Sequence, residues 1–361
     1  MEFLLNRTFA HLIDNFIEVT LGSLRLLAAS PQFHSNVWEI SPTEPQDPSV
    51  FYSIPPTPPE IEFDSVHRWL DGRTHARFRF PSFFQSPHPE NNIVHGMADL
   101  QSEGESSAAL ILLHGYQMNT FAPLKWFAEP AARAGMDVYY LALPYHMQRA
   151  PRGSWSGQYG LSADVQRTVQ SFRQGVLDLR AMITWITQVQ KKPVAIGGLS
   201  LGAFTSLMAG VVDDRPFGLI SLLGGASLAN IIFAGFSFRL IRKELQEAGV
   251  YPADLEKWWY MLAPGNFKPA LPREAILLVG GEHDPIITPK NVRKLWQAWQ
   301  KPRLLWFPCG HASVAFYARP IGERVADFLL NRLDALENSS FASADTPALI
   351  EQAQPSPGLP E

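Results

Sequence analysis

Cysteine is nearly missing. The 361 residues contain one, Cys309, which excludes an internal disulfide framework and every paired-cysteine metal or redox motif. Charge is sparse and close to balanced, with 30 Lys+Arg against 34 Asp+Glu and a net charge of -4. The basic footprint of a nucleic-acid binder is therefore absent. No uninterrupted apolar run approaches the ~20 residues of a membrane-spanning helix. No His-Glu-x-x-His pattern marks a metal site. These absences lead to an expectation of no nucleic-acid partner, no transmembrane segment and no metal. The single cysteine leaves the compartment open; the setting is taken as cytoplasmic, and no cofactor is expected.

What is present is apolar. Hydrophobic residues make up 46% of the chain and charged residues 18%. That supports one large domain with additions, or two small ones. Residues 3–29 are rich in leucine, isoleucine and phenylalanine, but Arg7, Asp14, Glu18 and Arg25 interrupt them. This is not the uncharged core of a signal peptide. Leu5, Phe9, Leu12 and Phe16, with Ile13 and Ile17, fall on one helical stripe. The stripe predicts a helix docked on the body or on a second subunit. A membrane-surface helix is the alternative, weakened by a polar face poor in lysine and arginine. On this reading the first thirty residues serve solubility or stability and take no part in the chemistry. Residues 30–60 are dense in proline, with Pro55-Pro56 and Pro58-Pro59, and read as an extended wrap.

From there a rhythm sets in. Thr74 to Phe80 reads as an outer strand with Asn92 to Leu100 as its partner. Ala108 to Leu113 and Asp137 to Leu143 read as buried strands, with a helix closed by Gly135 between them. Ser162 is placed to cap a long helix whose Val165, Val169, Phe172, Val176, Leu179, Ile183 and Ile186 form one stripe. Further strands are expected at Val194–Ile196, Phe217–Leu223, Ala275–Val279 and Arg303–Phe307, and a closing helix at Val314–Leu336. Alternation of this kind predicts an α/β architecture: a mostly parallel central sheet with helices on both faces. Residues 226–270 break the rhythm and read as a helical cap insertion. The expected division is residues 1–100 as an N-terminal helix, wrap and outer strands; 101–336 as the main domain; and 337–361 as a disordered tail.

The rhythm is centred on Gly197-Gly198-Leu199-Ser200-Leu201-Gly202, which follows a strand and precedes a helix. A G-x-S-x-G pattern in that setting is a nucleophile elbow. A serine hydroxyl needs a base within reach, and a sharp turn lifts it towards one. Glycines at 198 and 202 remove side chains that would collide with the turn. Parallel sheets carry their sites beyond the C-terminal ends of the strands. His311 and Asp284 both follow such ends, and the order Ser200, Asp284, His311 goes with the elbow. Glu282 is a rival acid. The Tyr116 N–H, after His114-Gly115, and the Leu201 N–H are the expected oxyanion donors. Cys309 reads as a small buried residue.

Four pieces in that order, His114-Gly115-Tyr116, Gly198-Leu199-Ser200-Leu201-Gly202, Asp284 within Gly281-Glu282-His283-Asp284-Pro285, and Gly310-His311, resemble the α/β-hydrolase superfamily over about residues 108–336. The chain is similar to its single-domain esterase and peptidase-like bacterial members, such as the dienelactone-hydrolase-like group. The dienelactone hydrolases use a cysteine nucleophile, where this chain has Ser200. The expectation is a serine hydrolase that cleaves a small-molecule carboxylic ester, or a thioester or amide, through an acyl-enzyme. The alternatives are a non-catalytic binding or scaffold protein and an acyltransferase using the same three residues.

Overall fold

The computed structural model describes residues 14, 47–54, 57–69, 71–102, 104, 106–234 and 238–344. The expected N-terminal stripe, most of the proline-rich wrap, Phe236 and residues 345–361 lie outside the described residues. A short helical turn at Pro48–Phe51, packed through Phe51 where an extended wrap was expected, precedes three strands: β1 (Glu62–Arg68), β2 (Thr74–Pro81) and β3 (Ile93–Leu100). Strands and helices then alternate: β4 (Ala108–Leu113), α1 (Ala122–Arg133), β5 (Met136–Leu141), α2 (Val165–Trp185), β6 (Val194–Leu199), α3 (Leu201–Val212) and β7 (Gly218–Leu222). Short helices α4 (Ala229–Ala234), α5 (Arg239–Glu247) and α6 (Pro252–Trp258) interrupt the alternation. It resumes with β8 (Ile276–Gly281), α7 (Pro289–Ala298), β9 (Arg303–Phe307) and α8 (Ala318–Ala344).

Among the described residues, nine strands form one sheet in the order β1-β2-β3-β5-β4-β6-β7-β8-β9. Strands β4 to β9 are parallel, and β1, β2 and β3 join them antiparallel through β5. The central strands are almost wholly apolar because both faces are covered, with Asp137 in β5 and Ser221 in β7 as buried polar exceptions. In β4, Ala109, Ile111 and Leu113 pack into a core shared with α2 and α3. The intervening Ala108, Leu110 and Leu112 pack into a second core shared with α1 and α8. The predicted class, a mostly parallel sheet with helices on both faces, is the one observed.

Some local expectations need correction. Strand β2 is not outermost, because β1 pairs on its far side. Every residue of β1 is exposed, so the strand carries no burial alternation that a sequence could display. Helix α2 is capped by Asp164, whose side chain accepts from the Arg167 N–H, and not by Ser162. The Ser162 hydroxyl lies before the helix and accepts from the Arg167 guanidinium at 3.1 Å. The last helix starts later than expected, after a 3-10 turn at Ser313–Tyr317, and runs past Glu337 to Ala344, where a disordered tail was expected. Among the described residues, no helix is long and apolar enough to cross a membrane.

Candidate active site

Ser200 sits between β6 and α3 with φ 55° and ψ -114°. A non-glycine residue there stores roughly 1–3 kcal/mol of backbone strain, and the surroundings must hold it. They do: the Ser200 N–H donates to the Leu222 carbonyl at 2.9 Å, and the Ser200 carbonyl accepts from the Phe204 N–H at 3.1 Å. The flanking glycines are required by close approach. A Cβ at Gly198 would land on the Gly202 carbonyl and lie 2.8 Å from the Ala203 nitrogen. One at Gly202 would strike the Leu113 carbonyl group and lie 2.7 Å from the His114 oxygen.

His311 and Asp284 converge on this turn. The Ser200 Oγ lies 3.0 Å from His311 Nε2, and His311 Nδ1 lies 2.8 Å from Asp284 Oδ2. A carboxylate only accepts hydrogen bonds, so Nδ1 carries the proton. That leaves the Nε2 lone pair to accept from the serine hydroxyl. Asp284 is buried, and its other oxygen accepts from the Ile286 and Ile287 N–H groups at 2.8 Å each. Its orientation is therefore fixed by its own loop. Glu282, the rival acid, is exposed. Cys309 is buried beside Asp284, and burial pushes its thiol pKa well up, which keeps it protonated.

Gly115 lies against the elbow: a Cβ added there would be 3.6 Å from the Ser200 Cβ. The Gly115 N–H donates to the Met118 sulfur at 3.2 Å. Its carbonyl accepts from His114 Nδ1 at 2.8 Å. In a trans peptide the C=O and the following N–H point in opposite directions. His114, by holding the Gly115 carbonyl, therefore sets the direction of the Tyr116 N–H. Its other nitrogen, Nε2, accepts from the Leu143 N–H at 2.9 Å. Both bonds require the neutral imidazole, and burial lowers the His114 pKa to about 4. Leu201, the residue expected to supply the other donor, is the first residue of α3. The first N–H groups of a helix have no acceptor within it.

The Tyr116 ring stacks on Phe238 with centroids 5.8 Å apart, and its hydroxyl donates to the Leu161 carbonyl at 3.0 Å. Phe238 precedes α5, so the helical insertion reaches the loop beside Ser200. Two residues with a place around the site were missed by the sequence reading. His114 was seen as part of a motif but not as the clamp on Gly115. Asp14, seen only as an interruption of an apolar stripe, accepts from the main-chain N–H of His311 at 2.5 Å. Among the described residues, no group of His, Cys, Asp and Glu side chains is arranged to hold a metal ion.

No family model matches the sequence. A protein of Mycobacterium tuberculosis strain H37Rv, itself described as uncharacterised, is 28% identical over 296 residues, covering 76% of this chain and 68% of that one. Among solved structures, acetyl xylan esterase 1 from Thermoanaerobacterium sp. JW/SL YS485 superposes with a TM-score of 0.58 at 15% identity, covering 80% of this chain and 94% of the other. The acylaminoacyl peptidase of Pyrococcus horikoshii gives 0.51 at 15% identity, over 73% of this chain and 42% of the peptidase. Strand order, the strained serine between strand and helix, and these structural likenesses agree: the chain has the α/β-hydrolase fold.

Proposed function

We propose that the protein is a serine hydrolase that cleaves a carboxylic ester through an acyl-enzyme. The observation that carries this reading is the hydrogen-bond chain from Ser200 Oγ through the His311 imidazole to Asp284. Ser200 Oγ attacks the substrate carbonyl carbon as His311 Nε2 takes its proton. Asp284 holds the reacting tautomer and stabilises the imidazolium. The Tyr116 and Leu201 N–H groups stabilise the oxyanion. Collapse of the tetrahedral intermediate expels the alcohol, which takes the proton from Nε2. Water then attacks the acyl-enzyme with the same base, releasing the acid and restoring Ser200. No step calls for a cofactor. Support comes also from the structural neighbours, named as an esterase and a peptidase, since both names denote cleavage of an acyl bond.

The test is covalent labelling of the full chain with a fluorophosphonate, alongside turnover of a short aryl ester. Wild type should label at Ser200 and turn over. Ser200→Ala should do neither, losing several orders of magnitude in rate with its fold intact. A mutant that keeps more than about a tenth of the activity would remove Ser200 as nucleophile. A wild type that neither labels nor turns over would favour a binding protein on this fold.

A further inference from the structure

The His311 loop is held by a residue 297 positions earlier in the chain. Asp14 is helical and only 1% exposed. Its two oxygens divide the loop between them. Oδ2 accepts from the His311 N–H at 2.5 Å, and Oδ1 accepts from the Ser313 N–H at 3.1 Å. Hydrogen bonds to a carboxylate are shorter and stronger than those between neutral groups. The Ser313 hydroxyl then accepts from the Gly310 N–H at 2.8 Å and closes the turn.

Gly310 records the same contact from the other side. Its φ does not fall in the left-handed region, so backbone conformation does not demand glycine there. Space does: an added Cβ would land on the Asp14 carboxylate, 2.6 Å from Cγ and 2.8 Å from Oδ1. The glycine before His311 and the aspartate at 14 are thus a matched pair.

The imidazole of His311 has to reach Asp284 at one nitrogen and Ser200 at the other, at 2.8 and 3.0 Å. Where the ring can reach depends on its own main chain, which Asp14 grips. A shift of about 1 Å there breaks one of the two bonds, and misplacement on that scale can cost ~100-fold in rate. We infer that Asp14 is a positioning residue of the active site, fixing the His311 loop so that the imidazole bridges Ser200 and Asp284. This rests on the hydrolase reading above.

The test uses full-length variants with an aryl acetate as substrate and a fluorophosphonate as probe. Asp14→Ala should lower kcat about tenfold or more with KM changed less than about twofold, and should slow labelling of Ser200 in proportion. Gly310→Ala should have a similar effect by displacing the carboxylate. The double variant should be no worse than Asp14→Ala alone, because the collision partner is gone. If folded Asp14→Ala keeps kcat within about twofold of wild type, or if the two effects multiply, the inference is overturned. Where Asp14→Ala does not fold, Asp14→Asn decides. It keeps one acceptor and its shape, so a kcat loss of about threefold or more at unchanged Tm supports the role. No loss overturns it. A wild type that fails to label Ser200 sinks the hydrolase reading itself, which separates the two failures.

Discussion

His114 lies behind Ser200, yet its tautomer bears on the proposed catalysis. Its Nδ1–H holds the Gly115 carbonyl and its Nε2 receives the Leu143 N–H. A ring without nitrogens would fill the space and release the peptide that carries the Tyr116 N–H. His114→Phe is therefore expected to lower kcat about 10- to 100-fold with little change in KM, since an oxyanion donor acts mainly in the transition state. It should also cost about 1–3 kcal/mol of stability, because the buried Leu143 N–H loses its acceptor. Steady-state kinetics and urea unfolding of the same variant read both. At this scale the convergence of Ser200, Asp284 and His311 was legible because the chemistry proposed for them needs particular residue types at the ends of particular strands. The work of His114 was hidden because it passes through a peptide plane. Asp14 was hidden because nothing local distinguishes its contact from a charge on a helix face.

Between β7 and β8 the helical insertion was legible as a break in rhythm, but the part each aromatic plays was not. Trp259 is 1% exposed and packs into the core with α2 and α3. Trp299, after α7, donates from its indole to the Pro264 and Phe267 carbonyls, tying the insertion to the body. Phe238, buried in the same core, also stacks on Tyr116, next to the elbow. The two should separate on substitution. Trp259→Ala should cost about 3–5 kcal/mol of stability and leave the chain-length preference for aryl esters unaltered. Phe238→Ala should also lower stability, as loss of a buried ring does, but should in addition change that preference. Each substrate methylene buried against the Phe238 ring would be worth about 0.8 kcal/mol, a little under fourfold in binding. A series of acyl chain lengths with both variants checks this, and an unchanged profile for Phe238→Ala would make the insertion purely structural. Strand β1 escaped the sequence for a different reason: an edge strand exposed along its whole length shows no burial alternation, and it is held by main-chain pairing together with surface contacts such as Glu62–Arg79.

Across the whole molecule the sheet was readable because parallel strands buried on both faces must be apolar at nearly every position. The cost of that construction is polar machinery sealed inside it. His114 and His146 are both fully buried with rings 4.8 Å apart. Burial lowers the His114 pKa to about 4 and that of His146 well below the ordinary value. His146 Nδ1 donates to the Pro144 carbonyl, and its Nε2 has no hydrogen-bond partner among the described residues. In the unfolded chain both imidazoles titrate near 6.5. Between that pH and about 4 the unfolded state therefore binds protons that the folded state refuses. Stability is fully present above about pH 6.5 and falls as the medium is acidified through this window. For His114 alone the loss amounts to about 3 kcal/mol by the lower limit, at 1.36 kcal/mol per pH unit. Burial raises the pKa of Asp178, paired with Arg149 at 2.8 Å. Its folded form takes up a proton more readily than its unfolded form, which opposes the loss at the acid end. The histidine contribution dominates where the pH is still above the carboxylate range. Urea unfolding at intervals from pH 7 to 4.5 should show the free energy of unfolding dropping steadily once the pH passes below about 6.5. A flat profile across that interval would mean that these imidazoles meet water or accept a proton in the folded state, and the neutral clamp on the Gly115 carbonyl would lose its basis.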